Sequence, residues 1–247
     1  MGVACCLDEY CIPVNNSLKR KWFEPAGIPA IPFIKTTFTK MQDRALRCTP
    51  LEQTFSDLID TYLDTQVGIS EDFLSLALSG HLKDNLIGLF KDKLMLAAGT
   101  GNDKLIAHNK LVRGDSIYWL GREHNDPHEN AFFDLMDSFI EYLNRTCYTG
   151  ITGYEFHYTL YEKGAFYKKH IDQFQNNGRR AYSMIMYLNT DWVLADGGEL
   201  CIHHSDREQR ISPTNGKSVF FKSTEMAHEV MVTTKSRMSI TGWLKVN

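Results

Sequence analysis

From Tyr148 onward the chain is cut into short apolar or alternating runs: YEFHYTLY, AYSMIMYLN, GELCIHH, KSVFFKS, HEVMV and RMSITGWLKV. The turn-forming strings NNG, ADGG and SPTNG separate them. Runs of this length with Gly, Pro, Asn and Asp between them read as strands. Many short strands in succession must close on themselves or pair face to face, so a sandwich, jelly roll or barrel is expected.

The preceding hundred residues have a different period. Leu51, Phe55, Leu58, Ile59, Tyr62 and Leu63 recur at helical spacing. A second helical region is expected to begin after Ser70, read as an N-cap before Glu71 and Asp72, and to run toward Leu96 with a break at Gly80. A third spans about Asn130 to Arg145, with Phe132, Leu135, Met136, Phe139, Ile140 and Leu143 on one face. Their apolar stripes need a partner, so the helices should cover one face of the β core. The first 45 residues, with PAGIPAIPF, are expected to form an irregular or edge-paired extension of unknown role. Residues 46–247 are then one domain, with helices over 46–147 and a β core from about 150 to 247.

At 247 residues and 43% hydrophobic content the chain can build a substantial core. Its 27 basic and 30 acidic residues show no long run of one sign, which gives no support for a nucleic-acid or acidic-membrane partner. No stretch approaches the roughly 18 apolar residues of a membrane span, and the opening residues lack a secretory pattern. A soluble, cytoplasmic protein is expected. Cys5, Cys6, Cys11, Cys48, Cys147 and Cys201 include no C-x-x-C pair, so they read as free thiols. The start MGVACC resembles a dual-acylation signal but has Cys6 where Ser or Thr is expected.

The string H-x-D occurs twice, at 170–172 in FYKKHIDQF and at 204–206 in HHSD. In a strand, His170 and Asp172 would share a face and offer an imidazole and a carboxylate to one ion. His228 in EMAHEV, at the start of a late strand, is the candidate third ligand of a two-histidine, one-carboxylate iron site. The second copy is followed by SDREQR, a polar string that reads as a turn, and it has no comparable third ligand. HNDPH at 124–128 invites a zinc reading, but Pro127 should interrupt a helix aligning its histidines.

In RMSITGW, period-two alternation puts Arg237, Ser239, Thr241 and Trp243 on one face and Met238, Ile240 and Leu244 on the other. A buried arginine needs a fixed acid or an anionic ligand, and its guanidinium suits a carboxylate.

Taken together, YEKGAFYKKHIDQF, YLNTDW, GGELCI, VFFKSTEMAHEV, RMSITGW and the upstream VRGDSIYWL resemble the Fe(II) and 2-oxoglutarate dependent dioxygenases. Within that superfamily they resemble the prolyl hydroxylases of the oxygen-sensing type. The resemblance covers about residues 111–247. It implies an α+β fold with a double-stranded β-helix (jelly-roll) core and N-terminal helices packed on one sheet. By position it implies iron ligation by His170, Asp172 and His228, and binding of the distal carboxylate of 2-oxoglutarate by Arg237. Tyr187 would assist that arginine, and Tyr161 would contact the iron-binding end of the cosubstrate, with Thr241 on the same wall. Asp115, Arg113, Tyr167, Arg180 and Trp243 would line the substrate entrance or surround the iron ligands.

The implied reaction consumes O2 and 2-oxoglutarate, yields succinate and carbon dioxide, and hydroxylates a prolyl residue in a protein or peptide, with ascorbate as a possible reductant. The residues leave two alternatives open. One is the same cofactors acting on a free amino acid or small metabolite. The other is a non-catalytic jelly-roll binding module, which would be expected to lack at least one of His170, Asp172, His228 and Arg237.

Overall fold

The computed structural model describes residues 49–99, 111–172 and 179–247. The expectations for the N-terminal extension, for Cys5, Cys6, Cys11 and Cys48 and for the NNG turn lie outside these residues.

The first helix, α1 (Pro50–Thr65), starts on a reciprocal cap. Thr49 Oγ1 accepts from the Glu52 amide, and the Glu52 carboxylate accepts from the Thr49 amide. Strand β1 (Val67–Ser70) follows at once, so the helix expected after Ser70 does not start there. Val67 to Ser70 are claimed by pairing with a late strand. Helix α2 (Leu76–Lys91) begins instead at Ser75, whose hydroxyl accepts from the Leu78 amide, and it runs through Gly80 without a break. One interior glycine costs only about 1 kcal/mol against alanine, which the packing of Leu82 and Leu86 offsets.

Strands β2 (Leu96–Ala97) and β3 (Asp115–Trp119) lead into α3 (Pro127–Thr146). Pro127 starts this helix rather than interrupting one, because the first helical position needs no amide donor. Asp126 caps it by accepting from the His128 and Glu129 amides. Then come β4 (Gly153–Tyr161), β5 (Tyr167–His170), β6 (Arg180–Tyr187), β7 (Leu200–His203), β8 (Glu208–Ile211), β9 (Ser218–Lys222), β10 (Ala227–Val230) and β11 (Arg237–Lys245). The expected turn SDREQR is in part a strand: Glu208 to Ile211 pair with β7. Its alternation hides in a polar sequence because one face of this strand looks outward.

The strands form two antiparallel sheets. Seven lie in the order β1-β9-β6-β11-β4-β3-β2 and four in the order β5-β10-β7-β8. Period-two alternation divides the side chains of the larger sheet between two cores. Phe156, Tyr158, Leu160, Met184, Met186, Phe220, Ile240 and Leu244 meet the helices. Tyr161, Ile185, Tyr187, Val219 and Phe221 instead join Leu200, Ile202, Ile211 and Val230 of the smaller sheet. The helices thus cover one face of the larger sheet and the smaller sheet covers the other.

Aromatic rings anchor the helical layer. Phe139 of α3 lies 5.0 Å from Phe55 of α1 and 5.9 Å from Phe220 of β9, centroid to centroid. Each such buried ring contributes about 1.5–3 kcal/mol. Gly242 shows how tightly β11 is packed: a Cβ there would run into the Phe156 ring and the Glu155 carbonyl. Gly242→Ala should therefore destabilise the fold by about 1–3 kcal/mol, read by denaturant unfolding. A wild-type midpoint in the variant would contradict this packing.

No helix among the described residues is long and apolar enough to cross a membrane.

Candidate active site

Pairing of β5 with β10 sets His170 directly opposite His228. His170 Nδ1 lies 2.8 Å from the Lys168 carbonyl, and His228 Nδ1 lies 2.9 Å from the Met226 carbonyl. A carbonyl can only accept, so each Nδ1 carries a proton, and in the neutral ring Nε2 keeps its lone pair. Both lone pairs converge on Asp172. Its carboxylate oxygens lie 3.4 Å from His170 Nε2 and 3.7 Å from His228 Nε2. The three donors fall within 4.8 Å of one another, a spacing that could hold a metal ion.

Strand alternation is not what aligns the carboxylate, however. β5 ends at His170, and Asp172 lies in the bend beyond it. Its Oδ2 is held by a 2.6 Å hydrogen bond from Ser183 Oγ, which contacts Ser223 Oγ at 2.9 Å. Burial works against ionisation of Asp172, but His228, His170 and Ser183 outweigh it and hold the carboxyl well below its usual range. Burial also depresses His228, more than Asp172 raises it. The Asp172 shift favours the ionised carboxylate and the His228 shift the neutral imidazole, the forms that bind a cation.

A brace stands behind His170. The Tyr167 ring stacks on its imidazole at 3.6 Å and 17°. Arg113 covers Tyr167 at 4.3 Å and makes a two-pronged ion pair with buried Asp115. Three residues expected near the site thus form a chain of contacts that ends on His170.

Arg237 opens β11 and is 1% exposed. Its Nε donates to the Gly198 carbonyl at 2.8 Å, and its guanidinium lies 5.1 Å from the Tyr161 ring and 5.0 Å from the Tyr187 ring. Among the described residues it has no carboxylate partner, and its Nη2 and the Tyr187 hydroxyl have no hydrogen-bond partner. Of the two options for a buried arginine, the fixed acid is absent. An unpaired, buried guanidinium is costly unless an anion completes it, and its flat face of donors matches a carboxylate. Together with one carboxylate and two imidazoles nearby, this donor set fits Fe(II) and 2-oxoglutarate.

Gly198 has φ +66, and a Cβ there would lie 3.2 Å from Arg237 Cδ and 3.1 Å from Thr233 Oγ1. Gly198→Ala should destabilise by about 1–2 kcal/mol through its left-handed backbone. It should also raise the 2-oxoglutarate requirement by displacing the arginine, measured as KM beside a melting curve. An unshifted KM would detach Gly198 from the site.

On the same face of β11, Thr241 Oγ1 is 3.3 Å from Ser239 Oγ, and Trp243 packs under Arg180 at 3.4 Å. Arg180 also pairs with Glu155 and donates to the Asp172 carbonyl at 3.4 Å. Sequence reasoning missed Ser183, which falls on the same face of β6 as Tyr187. It also missed His157, on the β4 face that carries Tyr161. Alternation could have found both. His157 is buried beside Trp119 and Trp243, and burial pulls its pKa down to about 4.

The other H-x-D copy stays apart. His204 Nε2 contacts Gln209, and neither His204 nor Asp206 belongs to a potential metal group among the described residues. In HNDPH, His124 pairs with Glu129 and His128 stacks on His81 at 3.9 Å, so the two histidines do not converge. His204→Ala should leave iron content and turnover at wild-type levels. Loss of iron from that variant would reopen the choice between the two strings.

Residues 156–245 match the family model described as the 2OG-Fe(II) oxygenase superfamily. A prolyl-4-hydroxylase structure from Pseudomonas putida is 28% identical, with 78% of this chain and 99% of that one covered, at a TM-score of 0.70. A prolyl hydroxylase from Trichoplax adhaerens, solved with a hypoxia inducible factor degradation-domain peptide, is 22% identical, with 85% and 94% covered, also at 0.70. The viral collagen prolyl hydroxylase of Paramecium Bursaria Chlorella virus-1, in its 2-oxoglutarate complex, is 16% identical, with 74% and 97% covered, at 0.53. Residues 156–245, most of the β core, are thus similar to the 2OG-Fe(II) oxygenase superfamily, and the chain resembles prolyl hydroxylases.

Proposed function

We propose that this chain hydroxylates a prolyl residue in a protein or peptide, using Fe(II), 2-oxoglutarate and O2. The observation that carries the reading is Arg237: a buried cation with no acid partner among the described residues, in the same intersheet layer as a His-Asp-His cluster. The similarity to a prolyl-4-hydroxylase supports proline as the target, and the peptide bound to the Trichoplax enzyme supports a polypeptide substrate. The reading includes a double-stranded β-helix core, a single catalytic domain from about residue 46 and a cytoplasmic setting.

In this account His170 Nε2, His228 Nε2 and Asp172 hold the iron. Lys168 and Met226 fix the two imidazoles through their carbonyls, and Ser183 fixes the carboxylate. Arg237 would bind the distal carboxylate of 2-oxoglutarate through its guanidinium, assisted by the Tyr187 hydroxyl. Tyr161 and Thr241 line the same wall. When bound, the iron and 2-oxoglutarate would supply the oxidative chemistry, one atom of O2 going to succinate and the other to the hydroxylated carbon as carbon dioxide leaves. No side chain needs to act as a general base, so the protein's part is position and exclusion of water. Tyr167, Arg113 and Asp115 keep His170 from rotating. Arg180 and Trp243 form the entrance wall for the peptide.

Purified protein with iron, 2-oxoglutarate and a panel of proline-containing peptides should add one oxygen to proline, located by tandem mass spectrometry. Modification confined to free amino acids or other small molecules would overturn the peptide assignment.

A further inference from the structure

The outer face of the four-stranded sheet carries a second convergence of metal-ligating side chains. In β7, Leu200 and Ile202 point into the core between the sheets, so Cys201 and His203 stand on the outer face. In β10, Val230 points inward with His228, and Glu229 lies on the outer face directly across from Cys201. Cys201, His203 and Glu229 each offer a donor within 4.8 Å of the others, and Cys201 is 1% exposed. His203 Nε2 is 3.0 Å from Glu229 Oε1, while Nδ1 is 3.3 Å from Glu208 Oε1 on β8.

Two observations set this group apart from a plain cross-strand ion-pair ladder. A neutral imidazole has a single N–H. That N–H can serve only one of the two facing carboxylates, so the lone pair on the other ring nitrogen opposes a carboxylate oxygen unless a cation or a further proton lies between them. Moreover, Cys201 is buried on a face that it shares with the Glu208 and Glu229 carboxylates. Arg210 lies across β8 from Cys201, yet it makes no ion pair among the described residues.

We propose that Cys201, His203 and Glu229 bind a zinc-type divalent cation on this outer face, with Glu208 orienting His203 and the fourth position open to solvent. Thiolate, imidazole and carboxylate form a donor set that zinc accepts. Bonds of about 2.0–2.3 Å set tetrahedral donors roughly 3.3–3.7 Å apart, so each pair would shift by roughly 1.5 Å or less. With the ion on Nε2, Nδ1–H would face Glu208 at 3.3 Å, the carboxylate–histidine–metal relay that fixes ring orientation in such sites. Binding displaces the thiol proton, and the ion would tie β7 to β10 from the side opposite His228.

The test is cobalt(II) titration of the full-length chain after chelator treatment, followed by absorbance. Asp172→Ala, which lacks a ligand of the internal site, should still bind cobalt with a thiolate-to-cobalt charge-transfer band. Cys201→Ser in that background should abolish the band. Glu229→Gln, at a partly exposed position, should weaken the affinity at least about tenfold with an unchanged circular dichroism spectrum. Absence of the band in Asp172→Ala overturns the proposal, as does a band that survives Cys201→Ser and so comes from another cysteine. Should Cys201→Ser fail to fold, His203→Asn replaces it with the same two readings. Iron retention by the internal site is measured separately, so either site can fail alone.

Discussion

Asp172→Ala should lose iron and turnover together. Asp172 is the single anion among the three proposed ligands, and the two histidines reach the ion only as neutral donors. Loss of partners that merely orient a ligand typically costs 10–100-fold in metal affinity. Removal of the carboxylate itself should therefore reduce iron retention by more than about 100-fold. The measurement is iron content after gel filtration, with circular dichroism to show that the fold persists. Full iron retention by the folded variant would remove Asp172 from the site. The Ser183 hydroxyl would lose its acceptor but still has Ser223 at 2.9 Å, so the local β6 and β9 contacts should survive.

Arg237→Ala should separate cosubstrate binding from metal binding. Hydrogen bonds to charged groups contribute about 1.5–3 kcal/mol each, so losing the pair that a carboxylate can accept should raise the 2-oxoglutarate requirement roughly 100-fold or more. Iron content should stay at the wild-type level, since His170, Asp172 and His228 do not depend on Arg237. A second readout follows from linkage: 2-oxoglutarate should raise the melting temperature of the iron-loaded wild type and leave the variant unmoved. Arg237→Lys should recover little, because an ammonium lacks the planar pair of donors and cannot reach past Tyr161 and Tyr187 in the same geometry. Unchanged cosubstrate dependence in Arg237→Ala would discard its assigned role.

Much of the β core was legible because its strands bury alternate residues. The alternation in RMSITGW separated Arg237 from Met238 as the structure does, and the same rule divides Met184 and Met186 from Ile185 and Tyr187. α1 and α3 were legible from their wide apolar stripes. The start of α2 was not. Ser70 and Ser75 are equally good caps by residue type, and pairing of β1 with β9, some 150 residues away, decides between them. β8 was missed because a strand with an outward face can be written almost entirely in polar residues.

The grouping of His170, Asp172 and His228 was legible in the sequence, and the contacts that hold it were not. The pairing of His170 with His228 depends on the register of β5 and β10, which no spacing encodes. Asp172 reaches the histidines from a bend, held by Ser183, rather than by strand alternation. The brace from Asp115 through Arg113 and Tyr167 to His170 joins residues more than fifty positions apart. The Cys201, His203 and Glu229 group was likewise hidden, since its third member comes from another strand.

The most direct measurement is succinate formation from 2-oxoglutarate by anaerobically iron-loaded protein after oxygen is admitted, beside Asp172→Ala and across proline-containing peptides. Oxygen-dependent succinate, raised by a peptide that gains one oxygen on proline and absent in Asp172→Ala, is the predicted result. A wild type that holds iron and 2-oxoglutarate yet forms no succinate with any peptide would contradict the account and favour a binding module.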